Sequence, residues 1–313
     1  MPLAVGPAMS ATDWGQEDVI YIATLITAGE IGAGDLSSLC DRLAQAGCAP
    51  QVSVRIDEGR AADIVFQGGP STARKALEGA HPQTDVIVQP MATRAKKLLI
   101  ADMDSTMITV ECLDELADYA GIKAEIAAVT ERAMRGELDF AQALDERVAR
   151  LKGLDAAVID QCLAERVRAT PGAATLVRTM KARLGATAIL VSGGFSRFAD
   201  RVGAAIGFDR ALSNELVIED GVLTGAVTKP IVDSVAKERA LLDAAAALGI
   251  PLSETLAIGD GANDLPMIRK AGLGVAYRAK PVVAAEAGAR LEHADLTALL
   301  YAQGVPSSEW ARA

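Results

Sequence analysis

Hydrophobic and polar positions fall into two rhythms that change near Lys97. Before it, short apolar strands alternate with amphipathic helices. "DVIYIATLIT" reads as a strand and "AGDLSSLCDRLAQAG" as a helix ending at Gly47. "QVSVRI" and "ADIVFQ" face each other across "DEGR", with Gly59 as the turn residue of a hairpin. "STARKALEG" predicts a short helix, and "TDVIVQP" a closing strand that stops at Pro90. The order β-α-β-β-α-β over residues 18–92 is that of a ferredoxin-like α+β domain. Residues 1–17 lack such a pattern and read as a flexible arm.

After Lys97 the strands become near-continuous apolar runs: "LLIA", "TAILV" and "TLAI". Runs of this kind are covered on both faces, as in the doubly wound parallel sheet of an α/β fold. The stretch between the first and second run is helical almost throughout and too long for one crossover. Residues 111–169 are therefore expected to stand off the sheet as an inserted helical cap, leaving 96–110 and 170–313 as the core. "SNELVIEDGVLTGAVT" reads as a β-hairpin turned at Asp220 and Gly221.

Composition narrows the function classes. The chain has 313 residues, 50% hydrophobic and 23% charged, enough for two domains with ordinary cores. Lys+Arg 31 against Asp+Glu 41 leaves a net charge of −10 with no long basic run, which argues against a nucleic-acid partner. No stretch approaches ~18 uninterrupted apolar residues, so no membrane span is expected. "MPLAVGPAMSATDW" has no basic start or long apolar core, so the chain reads as cytoplasmic and without a signal peptide. Cys40, Cys48, Cys112 and Cys162 lack CxxC or zinc-ligand spacing and read as buried thiols in a reducing compartment. The two histidines, His81 and His293, each stand alone in a polar context, which argues against histidine-based catalysis.

The chemistry collects at strand ends, where open α/β sheets bind ligands. Asp102 and Asp104 follow "LLIA"; Ser192, Gly193 and Gly194 follow "TAILV"; Gly259, Asp260, Gly261, Asn263 and Asp264 follow "TLAI". If these strands are neighbours, the acids converge and repel one another unless a cation sits among them. All-oxygen donors without histidine select a hard cation, Mg2+, which commonly pairs with phosphate. "SGG" adds a hydroxyl and amide donors suited to an anion.

"DMDST", "SGGF", a downstream lysine and "GDGANDLPMI" resemble the four signatures of the haloacid-dehalogenase-like phosphatases. "DMDSTMITVECLDELA", "VTERAMRGELDF", "LDERVARLKGL", "VSGGFSRFAD" and "IGDGANDLPMIRKAGLGVAY" extend the likeness to the phosphoserine-hydrolysing branch, over about residues 96–300. The resemblance implies Mg-dependent hydrolysis of O-phospho-L-serine to serine and phosphate through an aspartyl-phosphate, the last step of serine biosynthesis. It makes Asp102 the nucleophile and Asp104 the general acid and base. It gives Mg2+ to the Asp102 carboxylate, the Asp104 backbone carbonyl and Asp260, with Asp264 outside them and Asn263 orienting its neighbours. Ser192, the Gly193 amide and Lys237 would hold the phosphate, while Ser105 and Thr106 shape the loop.

By pattern alone Arg147 lies on the stripe of Phe140, Leu144 and Leu151, in a helix started by Asp139 and Gln142, and reads as a snorkelling side chain. The resemblance makes it the clamp on the substrate carboxylate. Likewise it assigns Glu111, otherwise a first-turn acid, to the ammonium, and Met134 and Phe140, otherwise packing residues, to shielding the substrate from water. Two alternatives stay open: a phosphatase or phosphotransferase acting on another amino-acid phosphate, such as phosphothreonine or phosphohomoserine, and a non-catalytic ligand sensor. The N-terminal order resembles an ACT domain, which implies a homodimer through that domain and amino-acid binding. "ITAGEIGAGDLSSL", however, departs from the usual D-x-P-G loop after the first strand.

Overall fold

The computed structural model describes residues 19–312, so the arm assigned to residues 1–17 lies outside the described residues. The first unit runs β1 (Ile20–Ile31), α1 (Ala33–Gln45), β2 (Ala49–Asp57), β3 (Gly59–Gln67), α2 (Pro70–Leu77) and β4 (Thr84–Pro90). These strands form an antiparallel sheet in the order β2-β3-β1-β4. Period-two alternation divides its faces. Ala23, Leu25, Ala62, Ile64, Phe66 and Val86 pack on Leu36, Leu39 and Leu43 of α1 and on Leu77 of α2. On the other face, Ile26, Ala61 and Ile87 join the core of the second unit. The α1 helix starts where the Asp35 carboxylate accepts the Gly32 N–H at 2.8 Å, satisfying one donor that the helix itself leaves free.

The second unit begins with β5 (Leu98–Ala101) and then leaves the sheet for α3 (Cys112–Tyr119), α4 (Lys123–Met134), α5 (Phe140–Ala149) and α6 (Ala157–Glu165). It returns through α7 (Ala173–Leu184), β6 (Thr187–Phe195), α8 (Ser196–Ile206) and β7 (Arg210–Asn214). A two-stranded hairpin, β8 (Leu216–Glu219) with β9 (Val222–Val227), precedes α9 (Ser234–Leu248) and β10 (Thr255–Gly259). The chain continues through α10 (Leu265–Lys270), β11 (Leu273–Tyr277), α11 (Pro281–Glu286), β12 (Ala289–Leu291) and α12 (Ala298–Ala302). The sheet is six-stranded and parallel, ordered β12-β11-β10-β5-β6-β7. Strand order reverses beside β5, which places a crevice between the carboxyl ends of β5, β6 and β10.

The two chain segments linking the cap helices to the sheet are paired with each other. Thr109 donates to the Arg168 carbonyl at 3.0 Å and Thr170 to Met107 at 2.9 Å. The cap also rests on the hairpin: Gly153 donates to Leu223, Leu223 to Leu154 and Ala156 to Gly221. Lys229 completes that seat by holding both oxygens of Asp145 on α5, at 2.7 and 2.9 Å.

Polar groups on the second face of the antiparallel sheet explain how it can be buried. Asp85 accepts the backbone N–H groups of Glu292, His293 and Ala294, and Gln89 donates to the Ala302 carbonyl at 2.8 Å. Arg94 pairs with Asp63 at 2.8 Å and reaches the carbonyls of Tyr301 and Ala302. These bonds satisfy most of the polar atoms buried here, as burial demands, while Gln89 Oε1 has no partner among the described residues. All four cysteines are free; Cys48, Cys112 and Cys162 are buried, whereas Cys40 is only half-buried. No helix among the described residues is long and apolar enough to cross a membrane.

Candidate active site

Leu98 to Ala101 are fully buried, and the ladder carries one residue further, because the Asp102 N–H donates to the Ile258 carbonyl at 3.0 Å. This fixes Asp102 at the crevice with its side chain almost wholly covered. The chain then turns tightly: Met107 donates to Met103 at 2.8 Å, and Ser105 takes a left-handed φ of 56°. Inside that turn, buried Thr106 donates to Asp260 Oδ1 at 2.9 Å, and Ser105 donates to Glu111 Oε1 at 2.6 Å. The loop that follows β10 is closed by Asp264, whose Oδ2 accepts the Gly261 N–H at 3.0 Å.

Lys237 reaches this point from α9, whose first turn is capped by Asp233 accepting the Ala236 N–H at 2.8 Å. Its ammonium donates to Asp102 Oδ1 at 2.6 Å and to Asp264 Oδ1 at 2.7 Å. Burial opposes the lysine's charge, yet the two carboxylates outweigh it and hold the group above the ordinary lysine range. Burial, then the charge of Asp264, pushes Asp102 well above the usual carboxylate range. Burial also lifts Asp260 to about 6. Among the described residues, oxygens of Asp102, Asp260 and Asp264 lie within 4.8 Å of one another. Three clustered carboxylates against one ammonium leave an excess of negative charge. This all-oxygen donor set could hold a hard divalent cation.

Asp104 stands beside this cluster. Burial and the charge of Glu111 raise it to about 7. Its Oδ1 is buried without a partner, and its Oδ2 lies 3.0 Å from where a Cβ on Gly194 would stand. A Cβ at Gly194 would crowd the acid, so glycine eases the close approach of this end of β6. There Ser192 is buried and its Oγ accepts the Gly194 N–H at 2.8 Å. Above it stands Phe140, the first residue of α5, with Cζ 3.1 Å from where a Cβ on Gly193 would lie. The structure thus brings Asp102, Asp104, Asp260, Asp264, Lys237, Ser192 and Gly193 to one crevice, with Phe140 over it.

The remaining residues are placed less tightly. Arg147 is half-buried, and its Nε donates to the Ala143 carbonyl at 3.2 Å within its own helix. No carboxylate among the described residues comes within ion-pair distance of it, although Asp114, Glu111 and Asp104 are near enough to oppose the lowering that burial imposes. Glu111 stands at the N-terminal boundary of α3 without a side-chain capping bond and is exposed, and Asn263 is half-buried in the loop before α10. Met134 ends α4 with 73% of its surface exposed. The sequence motifs assign no role to two contacts: the Asp145–Lys229 pair, and Asn214, a buried polar residue closing a strand that the hydrophobic pattern does not mark.

The chain matches the family model for haloacid dehalogenase-like hydrolases over residues 99–269. Over 224 residues it is 50% identical to a phosphoserine phosphatase from Streptomyces coelicolor, covering 72% of this chain and 54% of the relative. The chain thus spans about half the length of that relative. A phosphoserine phosphatase from Albidiferax ferrireducens is 48% identical over 216 residues, 67% of this chain and 91% of its own. The unliganded crystal structure of a probable phosphoserine phosphatase from Vibrio cholerae superposes with a TM-score of 0.70 at 32% identity, covering 93% of this chain and 90% of that one.

Proposed function

The chain belongs to the haloacid dehalogenase-like hydrolases, and from that premise we propose that it is a phosphoserine phosphatase acting in serine biosynthesis. The observation that carries the reading is the convergence of Asp102, Asp104, Asp260, Asp264 and Lys237 on the Ser192–Gly194 loop. The names of the relatives support the choice of substrate.

In this reading Asp102 Oδ attacks phosphorus and the ester bond to serine breaks, leaving an aspartyl-phosphate. Asp104 gives its proton to the departing serine oxygen; burial and the charge of Glu111, which raise its carboxyl to about 7, favour the protonated form this step needs. It then takes a proton from the water that hydrolyses the aspartyl-phosphate. Ser192 Oγ–H and the Gly193 N–H donate to phosphoryl oxygens, and Lys237 neutralises charge between the nucleophile and Asp264. Asp102, Asp260 and Asp264, with the Asp104 carbonyl, would hold Mg2+, which supplies electrostatic stabilisation of the phosphoryl oxygens. Arg147 binds the substrate carboxylate as a planar bidentate donor, and Glu111 accepts from the ammonium. Phe140 excludes water over the strand end, and Met134, exposed at the end of α4, is assigned to the same apolar cover. Asn263 orients the groups around Asp260.

The test is phosphate release from O-phospho-L-serine with Mg2+, run beside phosphothreonine and phosphohomoserine. Release from phosphoserine well above the others, abolished by EDTA, is expected. No release, or release indifferent to EDTA, overturns the reading.

A further inference from the structure

Asn214 closes β7 with 2% of its surface exposed. Its carboxamide bonds in two opposite directions: Nδ2 donates to the Gly193 carbonyl at 2.8 Å, and Oδ1 accepts the Val232 N–H at 2.7 Å. The orientation is forced, since a backbone carbonyl only accepts and a backbone N–H only donates. Both ends of a buried polar group are therefore satisfied, and each by a different segment of the chain.

The Gly193 carbonyl shares a planar peptide unit with the Gly194 N–H. That N–H donates to Ser192 Oγ at 2.8 Å. The unit is thus gripped on both edges, by Ser192 from within the loop and by Asn214 from outside it. Gly193 has no side chain to limit its φ and ψ, so this external grip on the following peptide unit restrains the turn in which the Ser192 hydroxyl and the Gly193 N–H lie. The second partner matters equally. Val232 lies two residues before Ser234, where α9 begins, and its carbonyl is 3.7 Å from where a Cβ on Gly193 would stand. One carboxamide therefore ties the carboxyl end of β6 to the segment that leads into the helix bearing Lys237.

We propose that Asn214 is a positioning residue for the phosphoryl group. It holds the Ser192 and Gly193 donors at a fixed spacing from Lys237, so that a phosphate monoester meets all three at once. This rests on the reading of Ser192, Gly193 and Lys237 as phosphate ligands given above.

Full-length Asn214→Asp tests it. The variant keeps size and the acceptor for Val232, but loses the donor and sets a carboxylate oxygen against the Gly193 carbonyl. Asn214→Ser serves as the second variant, and Val177→Ala, a buried change in α7, as a control for stability alone. The readouts are the dissociation constant of inorganic phosphate by calorimetry, kcat and KM for phosphoserine, the Mg2+ dissociation constant and the melting temperature. Loss of one buried hydrogen bond at the phosphate should weaken phosphate binding and lower kcat by about tenfold or more. Mg2+ affinity should stay within about twofold, because its carboxylates sit on the loops after β5 and β10. Val177→Ala should lower the melting temperature without changing phosphate affinity.

Folded Asn214 variants with phosphate affinity and kcat within twofold of wild type would overturn the inference. So would Mg2+ affinity falling in step with phosphate affinity, or both Asn214 variants failing to fold. A wild type that binds phosphate but leaves phosphoserine intact sinks the substrate reading alone, and phosphate affinity in Asn214→Asp still decides this inference. A wild type that binds no phosphate overturns both.

Discussion

Lys237 Nζ lies 2.6 Å from Asp102 Oδ1 with none of the lysine exposed. The same ammonium meets Asp264 at 2.7 Å, so one buried cation holds the ends of two loops together. Lys237→Met leaves two carboxylates buried without their counter-charge, and breaking a buried pair from one side costs about 3–5 kcal/mol. Urea unfolding should show a loss of that order, and phosphate release should fall at least ~1000-fold. A variant within about 0.5 kcal/mol of wild type would show that the triad does not hold the crevice.

Asp102 and Asp104 separate by leaving group. Asp102→Asn should abolish turnover of phosphoserine and p-nitrophenyl phosphate alike, since the bond-forming oxygen is gone. Asp104→Asn should lose about 10²–10⁴ in rate with phosphoserine, whose alkoxide needs a proton. With p-nitrophenyl phosphate, whose leaving group needs none, it should still give a burst of nitrophenolate and then stall. Rapid-quench measurement distinguishes the two; equal losses on both substrates would remove Asp104 from the acid role.

Substrate charges can be assigned by deletion on both sides. Phosphoethanolamine keeps the ammonium without the carboxylate, and O-phospho-3-hydroxypropionate keeps the carboxylate without the ammonium. Arg147→Ala should reduce kcat/KM for phosphoserine and O-phospho-3-hydroxypropionate by about 10–100-fold, with little effect on phosphoethanolamine, as for loss of a charged hydrogen bond. Glu111→Gln should show the reverse selectivity. If each variant lowers all three substrates equally, the cap residues act on closure and not on recognition.

These assignments differ in how far the sequence alone revealed them. "LLIA" and "TDVIVQP" match β5 and β4 residue for residue, because continuous or alternating apolar runs between turn residues leave little choice. The acids were legible because each follows such a run. By contrast, Arg210–Asn214 is half polar and mostly half-buried, so β7 carries no periodic signal, and Ala289–Leu291 is only three residues long. The second face of the N-terminal sheet is covered by the segment after β12 and by α12 through single polar residues, Asp85 and Gln89 respectively, which resemble solvent-facing positions in the sequence. Lys237 looks like a surface lysine on a helix until the fold turns that face toward Asp102. Asn214 bonds to Gly193 across 21 residues, a relation that no local pattern encodes.

A second buried lysine gives a pH prediction away from the crevice. Lys96, just ahead of β5, is fully buried and donates to the carbonyls of Thr93 at 2.7 Å and Ser253 at 2.9 Å. Burial, opposed by the charge of Glu254, pulls its ammonium down to about 8. In the unfolded chain a lysine keeps its proton up to about 10.4. Between these values the unfolded state binds more protons than the folded one, so stability from this group rises with pH from about 8 to about 10. Below 8 both states are charged and the contribution is flat. The neutral amine still has two N–H donors for its two carbonyls, so raising the pH removes the cost of the charge without losing either bond. Urea unfolding of wild type and Lys96→Met at pH 7, 8.5 and 9.5 isolates the effect. The difference should move in favour of wild type across that range; a constant difference would mean that Lys96 releases no proton in the folded protein.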